Sequence, residues 1–186
     1  MTTNTQKKIG LVVEGGGMKC AYNAGILDAF LDEGITFDYC IGVSGGSGNL
    51  ASYLAGQRGR NLRFFTEHIH SQNYFGLRSL LKTGDLFGLK YIYGELTRRE
   101  GEDPLDFPAL MKNPAEYEVV VTNALTGKPE YYGREMMQQD DYRLIMASKM
   151  CIRDSRYEDA DAADVRARLQ PELDDWFRVQ YSRYPK

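Results

Sequence analysis

The sequence has few of the features that mark several common classes of protein. Its 186 residues include three cysteines, Cys20, Cys40 and Cys151, whose wide spacing gives neither a disulfide framework nor a CxxC metal pair. No run approaches the roughly 18 apolar residues of a membrane-spanning helix, and the polar residues 1–8 contain no apolar signal-peptide region. A net charge of −3 without a basic stripe argues against nucleic acid as a partner. These absences predict a one-domain cytoplasmic protein.

Strands, glycine turns and helices alternate along the first part of the chain. A β-branched run at residues 8–13 ends at three glycines, and apolar residues then recur with helical spacing until Gly34. A second strand at residues 37–43 leads through another glycine turn to a helix from about residue 49 to 55. This order predicts the α/β class, with a mainly parallel sheet covered on both faces. Residues 117–122 and 129–132 predict a β-hairpin, and residues 140–148 a helix.

The stronger functional motif is a serine between glycines, Gly42-Val43-Ser44-Gly45-Gly46. G-x-S-x-G directly after an apolar strand and before a helix is typical of a nucleophile elbow, in which the tight turn exposes the serine hydroxyl at the end of the sheet. The following helix points its N-terminal amides at the same place, where negative charge would develop. The alternative interpretation is a glycine turn with an incidental serine.

A second glycine turn, Gly15-Gly16-Gly17-Met18-Lys19, also joins a strand to a helix. Successive glycines let neighbouring N–H groups converge on one oxygen, which suits an oxyanion hole or a phosphate. A dinucleotide site is less well matched, because Cys20 stands where its third glycine belongs, and the G-K-[ST] of a P-loop is absent. A purely structural turn is a further alternative. Two such turns at one sheet edge favour a shared site.

Histidine is scarce, and this bears on how Ser44 could be activated. A Ser-His-Asp hydrolase of this type places its histidine late in the chain, but only His68 and His70 occur, soon after Ser44 in a predicted helix. We expect both to be surface or packing residues, and His-x-His lacks nearby partners for a zinc site. The base for Ser44 is therefore predicted to be a carboxylate.

These residues together resemble the patatin-like phospholipases, particularly the bacterial ones. The family's G-G-G-x-[RK]-G matches Gly15 to Lys19, with Cys20 departing from the last glycine, and its G-x-S-x-G matches Gly42, Ser44 and Gly46. The strand and turn at residues 120–127 resemble the family's middle hairpin, and Ala147-Ser148 the start of its A-S-x-A-x-P segment. The resemblance covers roughly residues 8–149.

The resemblance implies a three-layer α/β fold and a serine acyl hydrolase that cleaves lipid esters, as a phospholipase A or lipid acyl hydrolase. It implies Ser44 as the nucleophile, oxyanion amides from Gly15, Gly16, Gly17 and Met18, and Lys19 as support for that loop. Neither metal nor cofactor is expected, and the partners are an acyl-ester substrate and, at the periphery, a membrane surface. The alternatives are a nucleotide-binding module using Gly15 to Gly17 and a catalytically inactive lipid-binding domain.

The family's catalytic aspartate lies in a D-G-[GA] motif, and this sequence contains no Asp-Gly. All 19 glycines lie at or before Gly133, while residues 150–186 are rich in Asp and Arg, and residues 150–155 resemble a translated sequencing adapter. We therefore predict a partial hydrolase domain at 1–149, incomplete on its C-terminal side and inactive, and an unrelated or artefactual tail at 150–186, helical or disordered. A natural variant that recruits Asp159 or Asp161 is the alternative.

An aromatic and leucine-rich stretch lies between the elbow and the hairpin. It could form a lid or an acyl-chain pocket, but ordinary core is the favoured interpretation. Its members are Tyr74, Phe75, Leu77, Leu80, Leu81, Leu86, Phe87, Leu89, Tyr91, Ile92 and Tyr93.

Overall fold

A computed structural model of the chain describes residues 8–71, 73–74, 88–123 and 126–149. The strands among these residues are β1 (Gly10–Val13), β2 (Tyr39–Val43), β3 (Glu116–Thr122) and β4 (Pro129–Gly133). The α-helices are α1 (Cys20–Asp32), α2 (Gly45–Leu54), α3 (Arg60–Thr66), α4 (Phe107–Lys112) and α5 (Arg143–Lys149). Short 3₁₀ helices cover Gly17–Lys19, His68–His70 and Arg134–Met136, and a π-helix covers Lys90–Leu96.

The strands form one sheet in the order β1-β2-β3-β4. The first three are parallel, with Val13 beside Gly42 and Val43 beside Val120, so their carboxyl ends lie at the same edge. The last strand runs antiparallel to β3, which confirms the predicted hairpin. The α/β class with a mainly parallel sheet is likewise confirmed.

Helices cover one face of this sheet in the described part of the chain. The helix α2 packs against β2, α5 packs against β3, and α1 packs against α2 and α3. On the opposite face the side chains of Val12 and Tyr131 are 70% and 57% exposed. Parallel strands that add in chain order through right-handed crossovers place their helices on one side. The second helical layer of the predicted three-layer arrangement is not among the described residues.

The core lies between the covered face and these helices. Along β2 and β3 the buried side chains alternate with less buried ones, as successive side chains of a strand point to opposite faces and only one face is covered. The fully or almost fully buried members include Leu27, Cys40, Leu50, Leu110, Tyr117, Val119, Tyr142 and Ile145. In the described ranges, no helix is long and apolar enough to cross a bilayer.

Two helices begin elsewhere than the sequence pattern predicts. The helix α2 begins at Gly45 rather than near residue 49, because the serine turn is itself the start of the helix. The helix α5 begins at Arg143 rather than at residue 140, because Asp140 has a φ of 61° and so cannot be helical. The end of α1 is as predicted, since Gly34 follows it with a φ of 65°.

The aromatic stretch is described only in part. Tyr74, Ile92 and Leu96 are buried with Phe64 in a second hydrophobic cluster, and Leu89, Tyr91 and Tyr93 pack against it. Core is therefore the right interpretation for these residues. Phe75, Leu77, Leu80, Leu81, Leu86 and Phe87 lie outside the described residues, as do residues 150–186.

Candidate functional site

Ser44 occupies the sharp turn between β2 and α2, at the carboxyl edge of the parallel strands. Its backbone has φ 51° and ψ −126°, a conformation that L-residues rarely adopt. Such a residue costs on the order of 1–3 kcal/mol and persists only where its surroundings hold it. This strained strand-to-helix turn is the conformation that the G-x-S-x-G pattern predicted.

The glycines around Ser44 are required by close approach of main-chain atoms. A Cβ at Gly42 would lie 2.8 Å from the backbone nitrogen of Ser47. A Cβ at Gly46 would lie 2.8 Å from the carbonyl oxygen of Glu14 and closer still to that of Val13. Because both neighbours are backbone, a side chain at either position would push a strand or a helix aside. Gly45, the first residue of α2, is buried.

The second glycine turn lies directly beside Ser44. A Cβ built on Gly15 would be 2.9 Å from the hydroxyl oxygen of Ser44. This proximity follows from the pairing of β1 with β2 as adjacent parallel strands, whose carboxyl ends open into the two turns. The two glycine turns are therefore side by side, as their places in the sequence predicted.

The backbone of this loop takes conformations that suit glycine. Gly16 and Gly17 have φ values of 149° and 56°, and the chain then enters the short 3₁₀ helix that continues as α1. The first N–H groups of a helical segment have no intrahelical acceptor and are available to an anion. Lys19 donates its backbone N–H to the Gly16 carbonyl at 3.1 Å, and its side chain lies over Gly16.

A network of buried polar groups supports the serine turn from below. Ser47 donates its hydroxyl to the Ser44 carbonyl at 2.6 Å, and Tyr117 on β3 donates its hydroxyl to the Ser47 carbonyl at 2.6 Å. Burial raises the pKa of Tyr117, so it remains a neutral donor. Asn49 donates to the Cys20 carbonyl at 2.9 Å and thereby joins α2 to α1. No local sequence pattern indicates this network, since only the strand pairing brings Tyr117 under α2.

Ser148 on α5 also contacts the turn. The backbone N–H of Ser44 donates to the hydroxyl oxygen of Ser148 at 2.8 Å, across 104 positions of sequence. The family resemblance had included Ser148 in a motif without giving it a role.

The two histidines take part in other contacts. His68 is buried, and its Nε2 lies 2.9 Å from a carboxylate oxygen of Asp103, whereas His70 is exposed. Asp103 also accepts two hydrogen bonds from Arg63, each 2.8 Å long, and lies 3.4 Å from the buried Arg60. The prediction of a packing or surface role thus agrees with what each histidine contacts.

In this Asp103 cluster (Arg60, Arg63, His68 and Asp103), one buried carboxylate interacts with two guanidinium groups and an imidazole. Burial alone would raise the pKa of Asp103, but hydrogen bonds from Arg63 and His68 and the charge of Arg60 outweigh it and lower that pKa. Arg60 is held further by Ser52, Thr97 and the backbone carbonyl of Asp103, at 2.8 to 3.1 Å. This cluster ties α2, α3 and the segment after the π-helix together.

In the ranges that the structure describes, neither a carboxylate nor an imidazole bonds to the hydroxyl of Ser44. Those ranges also contain no group of three or more His, Cys, Asp or Glu placed to hold a metal ion. Asp159 and Asp161, the alternative bases, lie outside the described residues.

Comparison with known proteins agrees with the family resemblance. The sequence model of the family described as patatin-like phospholipase matches residues 11–162. The uncharacterized protein YjjU of Escherichia coli (strain K12) is 29% identical over 86 residues, which are 46% of this chain and 24% of that protein. The chain thus spans about a quarter of the length of this curated relative. No solved structure matches. The family match includes residues 150–162, and the domain boundary after residue 149 stays a prediction.

Proposed function

Because the chain belongs to the patatin-like phospholipase family, we propose that it carries the nucleophile and the oxyanion hole of a serine acyl hydrolase for lipid esters. The observation that carries this proposal is the strained turn that presents Ser44 beside Gly15. A nucleophile and oxyanion donors must reach the same carbonyl group, so their loops must be neighbours. The phospholipase A or lipid acyl hydrolase type is the corresponding substrate class.

The chemistry follows from the position of each group. Ser44 Oγ attacks the carbonyl carbon of the ester. The backbone N–H groups of Gly15, Gly16, Gly17 and Met18 donate hydrogen bonds to the carbonyl oxygen and stabilise the negative charge that develops on it. The N-terminal end of α2 adds a partial positive charge behind the nucleophile. The alcohol leaves, and water hydrolyses the acyl-enzyme. We propose an aspartate as the base for Ser44, in a Ser-Asp dyad whose aspartate is not among the described residues.

The contact between Gly15 and Ser44 favours this chemistry over a nucleotide site. In a phosphate-binding turn the space above the glycines belongs to the ligand, whereas here the side chain of Ser44 lies against Gly15. Family membership supports the same choice. A catalytically inactive lipid-binding domain would share the fold but would leave Ser44 unreactive.

A fluorophosphonate probe on the 186-residue chain tests the proposal. We expect slow labelling that is selective for Ser44, because oxyanion donors and binding alone retain part of the rate enhancement when a catalytic partner is missing. Ser44→Ala should abolish it, and Ser71→Ala, which removes a serine far along the chain, should not. Mass spectrometry of the labelled peptide gives the site. Equal labelling of all serines would indicate a catalytically inactive lipid-binding domain. An increase in melting temperature with ATP or NAD would indicate a nucleotide-binding module.

Turnover is a separate expectation from labelling. We expect this chain to hydrolyse a p-nitrophenyl acyl ester little, since a serine without its base keeps an unactivated hydroxyl. Rapid hydrolysis that is lost in Ser44→Ala would show that some residue of the chain does supply the base.

We also propose that a lipid surface meets the protein at the start of α1. Met18, Tyr22 and Ile26 follow one another at helical spacing and are 48%, 76% and 36% exposed. This exposed stripe begins in the glycine loop beside Ser44, so a lipid bound there would reach the nucleophile directly. Exposed apolar patches of this kind mark interaction sites.

Co-sedimentation with phosphatidylcholine vesicles tests this contact. Tyr22→Asp should reduce the bound fraction, because it places a charge in the centre of the stripe. Met136→Asp, at an exposed methionine after β4, is the matched control and should bind as the unchanged protein does. Equal binding by both variants would remove the stripe from the proposal.

A further inference from the structure

The unusual backbone of Ser44 is held on its C-terminal side by local contacts. The Ser44 carbonyl accepts the backbone N–H of Ser47 at 3.1 Å and the Ser47 hydroxyl at 2.6 Å. Both bonds lie within the first turn of α2, so they fix where the helix begins. These two bonds do not fix the peptide group between Val43 and Ser44, which carries the Ser44 N–H.

On its N-terminal side Ser44 is held by a residue from a distant part of the chain. Its N–H donates to Ser148 Oγ at 2.8 Å. The amides at a helix start have no intrahelical acceptor, and a side-chain oxygen commonly satisfies one of them. Ser44 is the N-cap residue of α2, but its own side chain makes no capping hydrogen bond. The oxygen that accepts the Ser44 N–H comes instead from Ser148 on another helix.

Ser148 is carried by an anchored element. Tyr142 lies just before α5 and Ile145 lies within it, and both are buried in the main core. The helix packs against both β3 and α2. The position of Ser148 Oγ is therefore set by the core and can in turn set the position of the Ser44 peptide.

We propose that Ser148 is a positioning residue for the nucleophile, an inference that rests on the proposed function of Ser44. By holding the Ser44 amide, Ser148 keeps the hydroxyl of Ser44 against Gly15 and the oxyanion loop. The bond also engages the Ser44 N–H, so that amide is not available to the oxyanion, which the amides of Gly15 to Met18 bind. Ser148 acts through Ser44 and does not touch the substrate.

A pair of variants with the same shape separates the hydroxyl from the packing. Ser148→Thr keeps an oxygen that can accept the Ser44 N–H, whereas Ser148→Val replaces it with a methyl group. Site-resolved amide hydrogen exchange by NMR, on the ¹⁵N-labelled chain, reads the bond directly. We expect exchange of the Ser44 amide to be at least about fivefold faster in Ser148→Val than in Ser148→Thr, as the loss of one hydrogen bond predicts.

Labelling by the fluorophosphonate probe is the second measurement. We expect the labelling rate of Ser44 to fall by about tenfold in Ser148→Val and to be retained in Ser148→Thr, with the midpoint of urea unfolding similar in the two. If exchange and labelling are the same in both variants, the inference is overturned. It is also overturned if exchange accelerates at all core amides together, since the residue would then act on the whole fold.

The two proposals can fail separately. If the unchanged chain is not labelled at Ser44, the proposed function fails, while the exchange of the Ser44 amide still shows whether Ser148 fixes that peptide. If labelling is selective for Ser44 but independent of Ser148, the function stands and the positioning role does not.

Discussion

Two regions of this molecule hold unusual groups in place by different means. The serine turn (residues 42–47 with the loop at 15–17) is built from backbone: close approach at Gly42 and Gly46, and a left-handed φ at Ser44. The Asp103 cluster is built from side chains: a buried carboxylate shared by two guanidinium groups and an imidazole. The serine turn concentrates backbone strain at the partly exposed Ser44. The Asp103 cluster stabilises a buried carboxylate by surrounding it with cations and hydrogen-bond donors.

The two regions depend on single residues in different ways. A backbone-built turn tolerates few side chains, because the neighbouring atoms belong to strands and helices that cannot move independently. A charge cluster tolerates changes of shape but not the loss of one partner, because the remaining charges stay buried. Substitutions in each region therefore test different physical terms.

The largest expected effect is that of Gly46→Ala in the serine turn. The new Cβ would overlap the carbonyl oxygens of Val13 and Glu14, so β1 and α2 would have to separate. We expect a loss of at least about 3 kcal/mol in the free energy of unfolding, measured by urea titration. Gly25→Ala on α1 is the control, because no atom outside its chain neighbours and the backbone of its own helix lies within 4 Å of the added carbon. It should stabilise the protein by about 0.5–1 kcal/mol. A tolerated Gly46→Ala would contradict the close approach of β1 to α2.

An effect of similar size is expected from Asp103→Ala. Removing the carboxylate leaves Arg60 buried without its partner, which costs about 3–5 kcal/mol at pH 7. The folded-state pKa of Asp103 is lowered, so its contribution is present above the unfolded pKa of about 3.9 and is lost as the pH falls through the lower folded value. The free energies of unfolding of Asp103→Ala and of the unchanged protein, measured by urea titration, should therefore lie closer together at pH 3 than at pH 7.

A second Asp–Arg pair provides the control for that prediction. Asp32 accepts two hydrogen bonds from Arg58, at 2.5 and 2.9 Å, but both side chains are exposed. Solvent screens such a pair, so Asp32→Ala should unfold close to the unchanged protein. Equal effects of the two substitutions would show that burial does not distinguish the pairs.

The same comparison explains what the sequence could predict. The serine turn depends on consecutive residues, and a strained turn that admits only small residues leaves a readable pattern such as Gly42 to Gly46. The neighbouring position of Gly15 followed from one further rule, that adjacent parallel strands end at the same edge of a sheet. The α/β class and the hairpin were predicted from equally local signals.

The Asp103 cluster and Ser148 could not be predicted in this way. Asp103 is 35 positions from His68, and Ser148 is 104 positions from Ser44, so no local pattern relates them. Their contacts depend on how α3 and α5 pack, which is decided by the whole core. The sequence pattern predicts the start of α2 four residues late for a related reason. The glycines within Gly45–Leu54 are poor helix formers that tertiary contacts hold in a helix.

A smaller effect, of opposite sign, is expected at Ser44, the proposed nucleophile. Ser44→Gly relieves the left-handed φ of 51°, and we expect the free energy of unfolding to rise by about 1 kcal/mol. Ser44→Ala keeps a Cβ in the same conformation and should show no such gain. Both should lose fluorophosphonate labelling, so stability and reactivity would change in opposite directions in Ser44→Gly. A Ser44→Gly protein no more stable than Ser44→Ala would show that the turn is not strained.

The smallest effects are expected at two buried tyrosines, one in each region. Tyr117 donates to the Ser47 carbonyl beneath the serine turn. Tyr142 lies near Arg60, and its hydroxyl, in the described part of the chain, makes no hydrogen bond of normal geometry but approaches the backbone of Asp140. Each Tyr→Phe change removes one oxygen and keeps the ring. Tyr117→Phe leaves a carbonyl with one donor fewer and should cost about 1 kcal/mol.

For Tyr142→Phe the expected sign differs, because the buried hydroxyl that is removed has only a poor contact with the Asp140 backbone. Burying an unsatisfied hydroxyl is unfavourable, so its loss should leave the protein equally stable or more stable by up to about 1 kcal/mol. Urea titration of the two variants at one pH makes the comparison, with the unchanged chain as reference. If Tyr142→Phe destabilises as much as Tyr117→Phe does, the Tyr142 hydroxyl must bind a water molecule or a polar group. The region around Arg60 would then depend on a further hydrogen bond as well as on its balance of charge.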